Sequence, residues 1–332
     1  MNMASLRAGL IGLGMMGRHH ARVLASLDGV ELVGVADPDG DSYAAAGGRP
    51  LVDSIEKLIE LGLDYCIVAV PTACHEAVGL ALAEAGIHAM IEKPLSQDTP
   101  SARRLADAFA SRGLVGAVGH IERYNPALQS ARVRLEAGEL GKVYQVTTRR
   151  QGPFPARIAD VGVVKDLATH DIDLTAWVTQ QPFASVAART AFKSGREFED
   201  LVAVTGQLSD GTVTNHLVNW LSPLKERVTI ITGEMGAFVA DTLSADLTFY
   251  ANGSVTVTRD DIAQFRGVSE GDVIRYAIAK PEPLRVEHEN FRDAVLGREA
   301  RIVTMEEGVA TLAVAEAMIH SAKTGRTIAI HA

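Results

Sequence analysis

The chain has 332 residues, 47% of them hydrophobic, with 32 Lys and Arg set against 41 Asp and Glu and a formal net charge of -9. At roughly 150 residues per domain, this length implies about two domains. An acidic chain lacks the positive field that draws proteins to nucleic acid, so an anionic ligand must be held by a local site. No run reaches the ~18 unbroken apolar residues of a membrane span. The apolar start, MNMASLRAGLIGLGMMG, has glycines inside the run and no small-residue cleavage pattern, so a cytoplasmic protein is expected. Two cysteines, Cys66 and Cys74, fit a reducing compartment, and neither has the companions a metal site needs.

Residues 6–11 form a short apolar run, followed by Gly12-Leu13-Gly14-Met15-Met16-Gly17, and Met16, His20, Val23 and Leu27 then recur at helical spacing. Strand, glycine turn and helix together are the setting of a dinucleotide site. Gly12 permits the tight turn, Gly14 the close approach of pyrophosphate to the helix amino end beside Met15 and Met16, and Gly17 the packing of helix on strand. Asp37 lies 20 residues beyond Gly17, past a second strand at 31–36. Its carboxylate is placed to accept ribose hydroxyls and to repel a 2'-phosphate, and Pro38 offers no cation in compensation, so NAD is favoured over NADP.

The alternation continues with a helix at 54–61 and a strand at 64–70 that ends in Pro71-Thr72. Val78, Ala81, Leu82 and Ala85 mark a helix closed by Gly86. The stretch HAMIEKPL, 88–95, reads as a strand that stops at Glu92-Lys93-Pro94, which puts Lys93 at a carboxyl-terminal strand edge, where open α/β sheets bind ligands. A surface lysine beside a turn is the alternative. Thr99 and Pro100 fit a cap and first helical position, with Ala102, Leu105, Ala106 and Phe109 on one face; 115–119 is one more strand. His75 falls at the same edge, either lining the nicotinamide pocket or solvated at a helix start; His19 and His20 are packing or surface residues. This pattern predicts a Rossmann domain, a doubly wound parallel sheet, over residues 1–120.

Residues 121–332 have a different texture. A helix at 124–137 precedes strand-like runs at 142–150, 184–192, 201–208, 213–220, 228–232 and 247–258. Asp210-Gly211 and Asn252-Gly253 favour tight hairpins. An α+β domain with a large, open, mostly antiparallel sheet is expected, one face of which needs covering, hence a homodimer or homotetramer formed through it. Helices at 289–296 and 304–323 close the chain and are able to pack back on the first domain. Between the strands, residues 164–177 read as a helix carrying Asp166 and His170 four apart on one face, either a salt bridge or an acid-base pair.

The glycine turn, Asp37, Glu92-Lys93-Pro94 and Asp166-x-x-x-His170, in that order over essentially the whole chain, resemble the Gfo/Idh/MocA oxidoreductases. Three runs, Gly119-His120-Ile121-Glu122-Arg123-Tyr124-Asn125-Pro126, 152–163 and Asn219-Trp220-Leu221-Ser222-Pro223, look like its UDP-N-acetylglucosamine 3-dehydrogenase subgroup. Ala168 departs from the glycine common in the family after the aspartate. The resemblance implies an NAD-dependent dehydrogenase of a sugar or nucleotide-sugar hydroxyl, with Lys93, Asp166 and His170 catalytic. It leaves open whether His170 or Lys93 is the base. A nucleotide sugar would also need its diphosphate held, for which Arg123, Arg149, Arg150 and Arg157, flanking the expected cleft, are the candidates, with a solvated surface charge as the alternative for each. Gly12, Gly14, Met15, Met16, Gly17, Asp37, Pro71, Thr72, His75, Glu92 and Lys93 are expected to meet the cofactor, and His120, Arg123, Asn125, Arg157, Lys93 and His170 the substrate. Two alternatives stand beside it: an inositol or free-sugar dehydrogenase, and a non-catalytic NAD sensor.

Overall fold

The computed structural model describes residues 5–155, 161–253 and 269–330. The chain divides into two compact units, Met1–Ile121 with Glu282–Glu316, and Glu122–Pro281 with Ala317–Ala332. Among the described residues the α-helices, in chain order, are α1 (Gly17–Leu24), α2 (Ile55–Ile59), α3 (His75–Glu84), α4 (Thr99–Ser111), α5 (Pro126–Glu136), α6 (Thr169–Thr179), α7 (Pro283–Val295) and α8 (Met305–Thr324).

In the first unit, β1 (Leu6–Ile11), β2 (Val30–Ala36), β3 (Leu51–Val52), β4 (Tyr65–Val68), β5 (His88–Glu92) and β6 (Gly116–Gly119) form a parallel sheet in the order β3-β2-β1-β4-β5-β6. Neighbouring residues of a strand point to opposite faces, and both faces are covered. Ile11, Val68, Ile91 and Val118 pack under Leu82 of α3, Leu105 and Phe109 of α4 and Leu312 of α8. Leu10, Ile67 and Met90 pack on the other side with Leu24 of α1 and Phe291 of α7, where Tyr65 and Phe291 meet edge to face at 5.4 Å. The winding reverses between β1 and β4, the switch point at which such sheets leave a crevice.

Local chemistry moved several expected boundaries. The cap of α4 is Asp98, not Thr99: Asp98 is extended and accepts the Ser101 N–H at 2.8 Å, while the Thr99 hydroxyl donates to Glu316 at 2.7 Å. The buried face of α3 is His75, Gly79, Leu82 and Ala83. Gly79 draws it there, since a Cβ at that position would lie 2.6 Å from the Leu105 side chain. The short strand β3 went unread.

In the second unit, β7 (Val143–Pro153), β8 (Phe183–Ala191), β9 (Leu201–Leu208), β10 (Val213–Asn219), β11 (Leu221–Gly233), β12 (Gly236–Asp241), β13 (Asp246–Gly253), β14 (Ser269–Arg275) and β15 (Ile328–Ala329) form one sheet in the order β14-β13-β12-β11-β7-β10-β9-β8-β15. Only the β7–β10 pair is parallel among these described strands. Helices α5 and α6 cover one face, with Leu128, Ala131, Leu174 and Val178 on Val146, Ile231, Phe238 and Leu247. Tyr144, Val213, Leu217 and Tyr250 are exposed. Asp210-Gly211 turns β9 into β10 as expected. Asn252 and Gly253 do not make a tight turn, because they lie in register with Glu270 and Ser269 of β14.

His216 on β10 is buried, with Nδ1 2.8 Å from the Thr148 hydroxyl, and burial pushes its pKa down to about 4. The neutral ring is favoured in the folded chain. Its contribution is therefore complete above the unfolded value near 6.5 and is lost as pH falls through about 4. Urea unfolding should show stability decreasing across that window, with up to about 3 kcal/mol assignable to this ring; H216N should flatten the decrease, and an unchanged slope would contradict the assignment.

Candidate functional site

At the switch point the glycine turn is shaped by two close contacts and one open space. Gly12 has φ +92°, and a Cβ there would sit 2.4 Å from the Ala69 carbonyl oxygen at the end of β4. A Cβ on Gly17 would lie 1.9 Å from the Gly12 carbonyl oxygen, so α1 begins directly against the turn rather than against the strand. Around Gly14 a Cβ would meet nothing within 4 Å, and this open space is where a pyrophosphate can approach the main chain. Met15 is exposed and Met16 half-buried at the start of α1.

Asp37 follows β2 and is tied to this turn. Its Oδ2 accepts the Leu13 N–H at 2.7 Å, and its Oδ1 the Asp39 N–H at 2.9 Å. Each oxygen keeps a further lone pair suited to a ribose hydroxyl. Pro71 and Thr72 begin a 3₁₀ turn, Thr72–Cys74, beyond β4. These residues fit a bound dinucleotide: an open main-chain turn at a helix amino end, and an anchored carboxylate one strand away.

His75 takes neither of its expected roles. It is 1% exposed, and its Nδ1 and Nε2 face the carbonyl oxygens of Pro94 and Val70 at 2.9 and 3.0 Å, so it ties the segment after β4 to the segment after β5. Burial lowers its pKa, against the pull of those carbonyls. Glu92 is likewise engaged inside the unit. Its Oε1 lies 2.9 Å from His20 Nε2, and its Oε2 accepts the Lys93 N–H at 3.1 Å. Burial alone would raise the Glu92 carboxyl; the His20 hydrogen bond, together with Lys93, leaves it below the usual range. Lys93 is half-buried at the carboxyl end of β5, and His120 is buried at the end of β6.

In the second unit, residues 164–177 do not form one uniform helix. Val164–Ala168 is a π-helical turn that runs into α6. Such turns space side chains more widely than an α-helix and recur at functional sites. Glu199 accounts for the start of this one: it accepts the Val164 N–H at 3.1 Å, and its carboxylate sits where a Cβ on Gly162 would come within 2.0 Å. Asp166 and His170 are both buried, at 4% and 7% exposure.

Two buried ion pairs hold α6. Arg123 grips Asp173 with two bonds, 2.8 and 2.6 Å. Arg150 reaches Asp171 at 2.9 Å and Glu122 at 2.9 Å, and Arg227 joins Glu122 at 3.2 Å. Burial would raise the Glu122 carboxyl, but Arg150 and then Arg227 hold it low; burial keeps Asp171 raised against the pull of Arg150. The diphosphate candidates are corrected accordingly. Arg123 and Arg150 are spent on interior carboxylates, and the exposed Arg149 pairs with Glu226 at 2.5 Å. Asn125, expected at the substrate, caps α5 through the Ala127 N–H and donates to the Thr242 carbonyl. Arg157 lies outside the described residues. Sequence reasoning missed His20, His288, Asp171, Asp173 and Glu199; the hint available was the placing of Asp171 and Asp173 just after His170 on a helix rich in apolar residues.

The family model for "Oxidoreductase family, NAD-binding Rossmann fold" matches residues 6–120, and that for the family's "C-terminal alpha/beta domain" matches 132–330. The chain belongs to the Gfo/Idh/MocA oxidoreductase family. It is an NAD-dependent dehydrogenase, an enzyme and not merely a sensor. UDP-N-acetylglucosamine 3-dehydrogenase of Acidithiobacillus ferrooxidans is 32% identical over 301 residues, 88% of this chain and 90% of that protein. Its solved structure superposes with a TM-score of 0.82 at 28% identity, over 97% of this chain and 99% of that one. Inositol 2-dehydrogenase 2 of Saccharopolyspora erythraea is 27% identical across 97% of this chain and 95% of its own length. The WlbA dehydrogenase of Bordetella pertussis, solved with NADH and UDP-GlcNAcA, has a TM-score of 0.80 at 25% identity, covering 99% of both chains.

Because Arg123 neutralises a carboxylate inside the second unit, R123M should destabilise the protein by about 3–5 kcal/mol in urea unfolding. R149M, removing a half-exposed partner, should cost less than about 1 kcal/mol. Equal losses would contradict the buried-pair assignment.

Proposed function

We propose that this dehydrogenase oxidises a secondary hydroxyl of a sugar or cyclic polyol, and that its substrate is UDP-N-acetylglucosamine, oxidised at C3. The observation that carries the reading is the similarity to the Acidithiobacillus ferrooxidans enzyme over nearly the full length of both chains. The runs beginning at Gly119 and Asn219 support it.

NAD, when bound, supplies the acceptor for the hydride that leaves the carbon. In the proposed chemistry, His170 takes the hydroxyl proton, as a buried imidazole can near neutral pH. Lys93 donates a hydrogen bond to the same oxygen and stabilises the negative charge that grows there. Asp166, one turn before His170, orients the ring. Asp171 and Asp173, anchored to Arg150 and Arg123, keep α6 from rotating while the ring works.

The polyol reading has its own support. Three of the four arginines first expected to grip a diphosphate are paired with carboxylates, and an inositol dehydrogenase matches 97% of this chain. We also infer that a second copy covers the open face of the large sheet, where Tyr144, Val213, Leu217 and Tyr250 are exposed.

The test is NADH absorbance with purified protein, NAD, and UDP-N-acetylglucosamine, myo-inositol or free sugars. Growth with the nucleotide sugar is expected, and growth with a polyol alone would replace the substrate while keeping the chemistry. On the accepted substrate, H170N should lower kcat by about two to four powers of ten. An unchanged rate would remove His170 as the base.

A further inference from the structure

His20 on α1 and His288 on α7 are each 1% exposed, and the chemistry above uses neither. Their rings meet at 5.1 Å between centroids, with His20 Nδ1 2.9 Å from His288 Nε2. On its other side, His20 Nε2 lies 2.9 Å from Glu92 Oε1, and Glu92 Oε2 accepts the main-chain N–H of Lys93 at 3.1 Å. A continuous polar chain thus runs from α7 through α1 to the end of β5, all inside the first unit. Gly119 on β6 leaves it room, since a Cβ there would come within 3.3 Å of the Glu92 side chain.

The hydrogen bonds fix where the protons sit. An ionised carboxylate only accepts, so His20 Nε2 carries a proton. In the neutral ring, Nδ1 then accepts from His288 Nε2–H. This leaves His288 Nδ1 as a bare acceptor, and that atom meets no partner among the described residues. The opposite assignment would strand a buried N–H there, the rarer and costlier defect.

We propose that His20, backed by His288, is a positioning residue for Lys93: its Nε2–H clamps the Glu92 carboxylate, which in turn holds the lysine's main chain at the strand end. This inference rests on the reading of Lys93 as the group that meets the substrate oxygen. The clamp joins three elements, so the lysine's backbone is held by α1 and α7 as well as by its own strand.

Glutamine places an amide nitrogen where histidine carries Nε2, and asparagine places one where it carries Nδ1. H20Q therefore keeps the bond to Glu92, and H20N does not reach it. Amide hydrogen exchange at Lys93 in the full-length protein should rise about tenfold or more in H20N and stay within about threefold of wild type in H20Q. On the accepted substrate, H20N should lower kcat by about tenfold to a hundredfold with NAD affinity unchanged, and H20Q should restore it. Unchanged exchange at Lys93 in H20N would overturn the proposal. So would a rise spread evenly over the unit, which means packing alone. If H20N fails to fold, H288Q and H288N read the same chain from its far end, with the same pattern expected. K93M separates the two readings: full turnover in that variant removes the role given to Lys93, while the exchange result still decides the clamp.

Discussion

An ionised carboxylate taken out of water costs several kcal/mol unless a donor or cation meets it, and this constraint organises both units. Asp37 answers it with the N–H groups of Leu13 and Asp39, Glu92 with His20 and the Lys93 N–H, and Glu199 with the Val164 N–H. Asp171 and Asp173 answer it with Arg150 and Arg123. The bonds of Asp37 to Leu13, Glu92 to His20 and Glu199 to Val164, and the two ion pairs, tie together segments that the chain order keeps apart. Each also lies next to a residue to which chemistry is assigned: the glycine turn, Lys93, or the π turn and helix of Asp166 and His170. Rigidity is thus concentrated where a reacting group must be held in place.

The parallel sheet contributes the other half of that rigidity. Its strands are buried on both faces, and the contact of Gly12 with the Ala69 carbonyl brings the ends of β1 and β4 together at the switch point. His75 extends the same tie to the segment after β5, through the Pro94 and Val70 carbonyls. The glycine turn, Asp37 and Lys93 therefore share a single scaffold edge.

Much of this was legible in the residues alone. The glycine turn, the strand ends at Asp37 and Lys93, and the antiparallel texture of the second half follow from local pattern, and local pattern is what a sequence displays. The arginines were misread for a corresponding reason. Arg123 and Arg150 look like any solvated cation until the fold places Asp173 and Asp171 beside them, because pairing across 50 and 21 residues has no local signature. In the sequence His20 reads as a packing or surface residue; it is buried, but its bonds to Glu92 and to His288, 268 residues away, appear only once α1, β5 and α7 are assembled. The start of the π turn was hidden because Glu199, which accepts the Val164 N–H there, comes from a distant loop. Asn252-Gly253 carries a hairpin dipeptide, yet cross-strand pairing with β14 prevails over local turn preference.

The proposed reaction removes hydride from C3 of a nucleotide sugar. Single-turnover formation of NADH with UDP-N-acetylglucosamine deuterated at C3 tests it most directly. Reduction slower than with the protiated sugar, and a cofactor that carries the deuterium, are expected. Reduction at the same rate with no label transferred, or no reduction at all, would contradict it.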